Sequence, residues 1–316
     1  MESVIKGLHH VTATVHDAQR DLDFYLDALG LRLVKQTVNF DNRRVYHFYY
    51  GDERGTPGTI WTTFPYKGWG VPVGRKGAGQ IEVTSFSVPA GSLDFWRKRL
   101  AELGVPVREQ PPRFGEESIG FPDPSGLLIE LVANGRDNRA PWTGGGVGKE
   151  AAIRGLHSVT MVVADPARTL ELMTGLLGFR RVNEAEARLR LAVSGDEPGK
   201  TIEVVSRPDA PAAMNGLGTV HHVAMAVADG EDQLRLRREL VRLGIPVTEV
   251  MDRKYFRSIY FREPGGVLFE AATVQPGFTV DEELPCLGQD LQLPVEDEPK
   301  RAEIAAGLPE LRHPAR

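Results

Sequence analysis

Two histidine pairs, His9-His10 and His221-His222, open near-copies of one phrase, GLHHVTATV and GTVHHVAMAV, and a carboxylate, Glu270, follows the second pair in GGVLFEA. Both phrases read as the start of a β-strand. Neighbouring strand side chains point to opposite faces, so one imidazole of each pair can face a shared cavity. Two imidazoles and one carboxylate make a facial triad, a donor set that holds a divalent metal and leaves coordination positions open for substrate and oxygen. Alternation selects the member of each pair. His10, Thr12 and Thr14 share a face, as do His222, Ala224 and Ala226; these small or polar residues suit a cavity. The opposite faces, Val11, Ala13 and Val15 or Val223, Met225 and Val227, suit a helix-covered core. His10 and His222 are therefore the candidate ligands. Glu270 joins them because a glutamate in an apolar strand is costly to bury unless paired or metal-bound. A lone strand histidine is more often a hydrogen-bonded core residue, and a lone strand-end glutamate is about as often exposed. The repetition of the pair is what favours a metal.

The elements that must position these groups recur on a scale of roughly 70 residues. Module one begins GLHHVTATVHDAQRDLDFYLDALGLRLV at Gly7, and module three begins GLHSVTMVVADPARTLELMTGLLGFRRV at Gly155. Module two starts near Gln80 (QIEVTSFSVPAGSLDFWRKRLAELGVPV) and module four near Thr219 (TVHHVAMAVADGEDQLRLRRELVRLGIPV). Each reads as an alternating strand, then an amphipathic helix, then further strands. In module one, Leu22, Tyr25, Leu26 and Leu29 recur at helical spacing. The helix stops at Leu-Gly, where glycine supplies a left-handed cap. DPSG and EPGG mark turns between the last strands of modules two and four. The expected fold is α+β: four βαβββ modules paired into two curved mixed-sheet units. By sequence order the chain divides into an N-terminal domain of two modules (1–133), a Gly-rich linker (134–150), a C-terminal domain of two modules (151–280) and a tail (281–316), the last part of which either packs as a helix or frays. His10 can share a metal with His222 and Glu270 only if module one pairs with module four and module two with module three. The linker then joins the distal pair and lies away from the metal.

The repeats also show where a second site is missing. Module three has Ser158 in the place of His10. In module two, His222 corresponds to Val83 or, on the alternative alignment, to Glu82; the alternation favours Val83. Glu130 is the equivalent of Glu270. A weak carboxylate site from Glu82 and Glu130 stays open as an alternative.

This pattern resembles the vicinal oxygen chelate superfamily (glyoxalase, bleomycin resistance protein, extradiol dioxygenase) over nearly the whole chain. Within it, the phrases GLHHVT, RGTPGTIWTTFP, GRKGAGQ, RFGEESIGFPDPSG, HHVAMAV, YFRSIYFREPGGVLFEA and GFTVDEELPCLGQDLQLP are similar to the ring-cleaving dioxygenases that act on hydroquinones. The resemblance implies iron(II), with manganese(II) compatible with the same donors, held by His10, His222 and Glu270. It implies His9, Thr12, His221, Arg253 and Tyr260 as the residues around substrate and ligands. It also implies insertion of O2 into a hydroquinone-type ring, with cleavage next to a hydroxyl. A catechol is the alternative substrate. Two other classes share the scaffold: glyoxalase-type isomerases or lyases with zinc or nickel, which bring more carboxylates to the metal, and metal-free drug-sequestering proteins, which lack the triad. The intact His10, His222, Glu270 set argues against both.

Bulk properties agree with an enzyme of small molecules. With 316 residues the chain is too long for one small domain, and 41% hydrophobic with 26% charged residues is ordinary for a globular protein. A net charge of −5 argues against nucleic acid as a partner, and no apolar run reaches the length of a membrane span. One cysteine, Cys286, excludes an intrachain disulfide and suits a reducing cytoplasm. A small aromatic substrate and O2 are the expected partners; a homo-oligomer is left open.

Overall fold

The structure is a computed structural model and describes residues 3–312. Module one supplies β1 (Ile5–Val15), β2 (Arg32–Asn39), β3 (Asn42–Gly51) and β4 (Ile60–Pro65). Module two supplies β5 (Gln80–Val88), β6 (Arg108–Glu109), β7 (Ser118–Pro122) and β8 (Leu128–Ala133). Module three supplies β9 (Gly155–Val163), β10 (Arg180–Ala185), β11 (Arg188–Ala192) and β12 (Thr201–Ser206). Module four supplies β13 (Thr219–Val227), β14 (Met251–Asp252), β15 (Arg257–Arg262) and β16 (Leu268–Thr273). After the first strand of each module comes a helix: α1 (Ala18–Leu22), α2 (Leu93–Glu102), α3 (Ala167–Gly175) and α4 (Gly230–Arg242). A last helix, α5 (Arg301–Gly307), lies in the tail, so part of that segment packs as a helix.

The strands form two eight-stranded sheets, ordered β14-β15-β16-β13-β1-β4-β3-β2 and β10-β11-β12-β9-β5-β8-β7-β6. Module one therefore pairs with module four and module two with module three, as the shared triad requires. The joining strands, β1 with β13 and β5 with β9, run antiparallel at the sheet centres. Val11, Ala13 and Val15 are fully buried, as are Val223, Met225 and Val227, and all belong to the main core. The linker returns to the body: Arg139 donates to the carbonyls of Gly58 and Leu156 and so ties both halves together.

Two local features depart from simple periodicity. In module one, α1 passes into a π-helical stretch over Asp23–Ala28. The extra residue per turn rotates the inward face, so Phe24 is buried beside Leu22, Tyr25 and Leu29, while Leu26 is only partly covered. The central strands carry bulges. Pairing with β13 skips His9, and pairing with β1 skips His221; the partner sheet shows the same skips at His157 and Glu82. A bulge re-aims its side chain.

In module four, Asp229 caps α4 by accepting from the amides of Glu231 and Asp232. Its inner face includes Gln233, whose amide donates to the carbonyls of Arg257 and Ala271. That bond fastens the helix to the two strands that carry Ser258 and Glu270.

The tail covers the edge strand β2. Gln292 donates to the Gln36 carbonyl at 2.8 Å, and Thr37 donates to the Gln292 carbonyl at 2.6 Å. The fully buried Lys35 ammonium is held by Asp281 at 2.6 Å and by Glu282. Phe278 packs against Val34, Tyr49 and Tyr255 in a second apolar cluster that also contains Phe256. It fits over Gly55, where an added Cβ would lie 2.5 Å from its ring. The counterpart edge, β10, has no such cover among the described residues and is largely exposed, with Arg180, Arg181 and Glu184 on it; charge on an open edge discourages pairing with another chain. Phe278→Ala should lower stability by about 3 kcal/mol, the scale for a buried Phe truncation. Urea unfolding checks this, and an unchanged midpoint would mean that the Phe278 packing contributes nothing to the fold.

Candidate metal centre

His10 on β1 and His222 on β13 are brought together by the central antiparallel pair, in which His10 faces Ala224 and Thr12 faces His222. Glu270 on β16 lies beside Ala224 and across from Tyr260 on β15. His10 Nε2 and His222 Nε2 are 3.3 Å apart, and Glu270 Oε2 lies 3.3 Å from the first and 2.9 Å from the second. All three residues are buried, Glu270 completely.

The donor set fits a divalent cation on two observations. First, Glu270 Oε1 accepts from the Ser258 hydroxyl, but the buried Oε2 has no hydrogen-bond donor of its own and points at two imidazole nitrogens. Second, each candidate ligand has a partner for a proton on its Nδ1. Each ligand Nδ1 lies against the Nδ1 of the preceding histidine, 2.9 Å for His9-His10 and 2.7 Å for His221-His222. With the ligand proton on Nδ1 and donated there, the Nε2 lone pair is free for a metal. His9 and His221 are good acceptors because they stay neutral. Burial, then the neighbouring ring, pulls both pKa values down to about 3, although Glu270 works in the opposite sense. Burial also lowers His222, against the pull of Glu270. The bulges are what make these pairs touch: strict alternation, which sends His9 and His221 to the far face, does not hold here.

A cavity of about 350 Å³ opens onto the ligands. Thr12, His221, Arg253 and Tyr260 line it. His9 does not; it sits behind His10 with its ring edge-on to Phe256 at 4.9 Å. Arg253 Nε donates to the Tyr260 hydroxyl at 3.2 Å. Burial raises the Tyr260 pKa, with Glu270 adding to it, so Tyr260 remains a neutral donor. Sequence reasoning missed Ser258, Phe256 and His47. Ser258 could have been found from the repeat, since it precedes Glu270 by 12 residues, the spacing from Ser118 to Glu130, and both serines donate to their glutamates.

In the other sheet the register puts Ser158 opposite Ser85 and Thr160 opposite Val83. Val83 thus holds the place of His222, and Glu82 holds that of His221. The weak carboxylate site does not form: Glu82 is taken up by Arg207 at 2.7–2.8 Å, while Glu130 binds Ser85, Ser118 and Arg113. Instead of a metal, guanidinium groups fill the space. Arg113 pairs with Glu130 and Glu203, Arg188 with Glu203, and Arg190 with Glu203 and Glu116, to which His157 is also bonded. Burial alone would raise Glu116, but His157 and Arg190 outweigh it and hold the carboxyl down at about 2.

Residues 7–131 and 155–271 match the family profile of the Glyoxalase/Bleomycin resistance protein/Dioxygenase superfamily. The chain belongs to that superfamily. It is 44% identical over 302 residues to MhqO of Bacillus subtilis, named as a candidate ring-cleaving dioxygenase, covering 96% of this chain and 95% of the relative. It is 38% identical over 297 residues to a chlorohydroquinone/hydroquinone 1,2-dioxygenase of Sphingobium indicum, covering 92% and 91%. The crystal structure of a candidate dioxygenase from Bacillus subtilis superposes with a TM-score of 0.94 at 42% identity, covering 100% of both chains.

For this superfamily member, elemental analysis should find one tightly held metal per chain, and none above background in His10→Ala, His222→Ala or Glu270→Gln. Ser258→Ala should weaken metal affinity by about 10- to 100-fold, the usual cost of losing an outer hydrogen-bond partner. Full metal content in any one of the ligand variants would remove that residue from the set.

Glu116→Gln tests the ionic cluster. A carboxyl depressed in the fold stabilises it above its unfolded pKa of about 4.3, and the contribution disappears as pH falls through the folded value. The variant should be less stable than the parent by on the order of 2 kcal/mol at pH 7, with the difference closing between about pH 4 and pH 2. A pH-independent difference in thermal unfolding would assign the effect to packing instead.

Proposed function

We propose that the protein is an iron(II)-dependent ring-cleaving dioxygenase of hydroquinone-type aromatics, inserting O2 next to a ring hydroxyl. The observation that carries the reading is the pair of imidazoles and single carboxylate at a cavity walled by aromatic rings and one guanidinium. The names of the relatives support the reaction class. A set of two imidazoles and one carboxylate suits iron(II), and manganese(II) is the alternative. When bound, such a metal supplies the redox partner that ground-state oxygen needs and favours the phenolate form of a bound phenol.

His10, His222 and Glu270 hold the ion, and His9, His221 and Ser258 fix the orientation of those ligands. Phe64, Tyr49 and Phe256 form apolar walls for a flat ring. At about 350 Å³ the cavity is at the small end of ligand sites, which favours a single ring. Tyr260 accepts from Arg253, so its own proton is free to go to a substrate oxygen. Arg253 keeps its charge beside that hydroxyl and stabilises negative charge developing on the oxygen. With its Nδ1 accepting from His222, neutral His221 carries its proton on Nε2 and is placed to donate it. The exposed Cys286, the only cysteine, suits a reducing compartment such as the cytoplasm. Among the described residues no helix is long and apolar enough to cross a membrane.

The experiment is anaerobic reconstitution with iron(II), followed by oxygen uptake on a panel of hydroquinones and catechols. Uptake with hydroquinones, with loss of the aromatic absorbance, is expected. Arg253→Met should lower kcat/KM by about 10²- to 10³-fold, the scale for losing one group that stabilises an oxyanion. Isomerisation of a thiol hemithioacetal without oxygen uptake would overturn the dioxygenase reading.

A further inference from the structure

One half-buried imidazole has no part in holding the ligands. His47, on β3, lines the cavity with its ring packed between Tyr49 and Phe64, at centroid distances of 4.0 and 4.2 Å. Its Nε2 lies 2.8 Å from the Thr62 hydroxyl, which lies 3.0 Å from the Thr12 hydroxyl. Thr62 is fully buried. Thr12 is on the cavity wall, two residues beyond His10 on the same strand and paired across from both Thr62 and His222. Nδ1 of His47 has no protein partner among the described residues, and it is not among their sealed, unpaired nitrogens.

A hydroxyl has one proton. Thr62, held between His47 and Thr12, must accept from one and donate to the other. The chain therefore has two settings. In the first, His47 donates from Nε2 to Thr62, Thr62 donates to Thr12, and Thr12 donates into the cavity; Nδ1 of His47 is then an acceptor. In the second, every bond reverses: Thr12 accepts from the cavity and His47 donates from Nδ1. The two cavity ends thus always have opposite polarity.

The duplicated frame shows what these positions do without a metal. Arg188 stands at the position of His47, Glu203 at that of Thr62 and Thr160 at that of Thr12. There the trio is ionic: Arg188 pairs with Glu203 and donates to Thr160 at 3.2 Å. Only beside the triad is the trio neutral, with an acceptor or donor to spare at each end.

We infer that His47, Thr62 and Thr12 read the two oxygens of a para-dihydroxy ring: Thr12 donates to the deprotonated oxygen near the metal ligands while His47 Nδ1 accepts from the distal hydroxyl. The inference rests on the ring-cleaving reading above and deepens it. His47 and Thr12 touch substrate; Thr62 is a positioning residue that couples them. A ring whose distal oxygen lacks a proton cannot satisfy both ends in the first setting.

The test is anaerobic equilibrium binding to the metal-loaded protein of hydroquinone and of 4-methoxyphenol, which lacks the distal donor. The parent should prefer hydroquinone. His47→Phe and Thr62→Val should each reduce that preference by roughly three- to tenfold, the scale of one neutral hydrogen bond, with metal content unchanged by elemental analysis. The double variant should lose no more than either single one, because both break the same chain. His47→Gln, whose amide can donate to Thr62 and accept from the ring, should keep most of the preference and also guards against a folding defect in His47→Phe. An unaltered preference in Thr62→Val would overturn the coupled chain, even if His47→Phe loses it. Binding with the expected preference but no oxygen uptake would overturn the dioxygenase reading and leave this one standing. If neither phenol binds the parent, both fail.

Discussion

A fully buried carboxylate needs a positive partner, and the central problem of this fold is how to supply one to Glu270 and to its duplicate Glu130. Ionised carboxylates are expensive to take out of water unless paired. Glu270 lies in an apolar strand, accepts one hydrogen bond from the Ser258 hydroxyl, and turns its other oxygen to two imidazoles. A cation that both nitrogens and the carboxylate can bind would supply that partner. Ligands, tautomer-fixing histidines and cavity all follow from that arrangement.

The duplicate half answers the same constraint with covalently attached charge. Glu130 takes Arg113, and the additional carboxylates Glu203 and Glu116 take Arg188 and Arg190. Guanidinium groups are bulky and form several fixed bonds each. They satisfy the carboxylates and fill the space that is an open cavity in the other half. One repeated frame thus gives an open cavity beside a candidate metal centre in one half and an ionic plug in the other.

Much of this was legible in the sequence because it depends on period and repetition. The strand alternation separates the His10 face from the Val11 face, and a metal shared by His10, His222 and Glu270 requires that modules one and four meet. The candidate ligand set needed nothing beyond the two histidine pairs, Glu270 and the resemblance. What alternation could not show were the bulges, since an extra residue in one strand is defined only against its partner. His9 and His221 consequently approach their neighbours instead of facing away. The π-helical stretch of module one escaped for a similar reason, because it re-phases the helix by one residue without changing the residues' types. His47 was hidden in a strand of aromatics, RVYHFYYG, where a single imidazole has no repeat to mark it. Its meaning comes from Thr62, which only sheet pairing brings beside it.

The pairing of the first strand with the thirteenth has a consequence for how the protein is made. During synthesis His10 leaves the ribosome early, while its partners on β13 and β16 lie more than two hundred residues behind it, as the 212-residue separation of the two ligand imidazoles shows. Modules two and three are contiguous in the chain and can join while module four is still being translated. Module one must wait with an unpaired central strand. Contacts this distant are slow to form, and they leave strand edges exposed meanwhile. The tail, which closes over β2, comes last of all. The triad is thus complete only late in the life of the nascent chain, and a truncated product lacking module four has none.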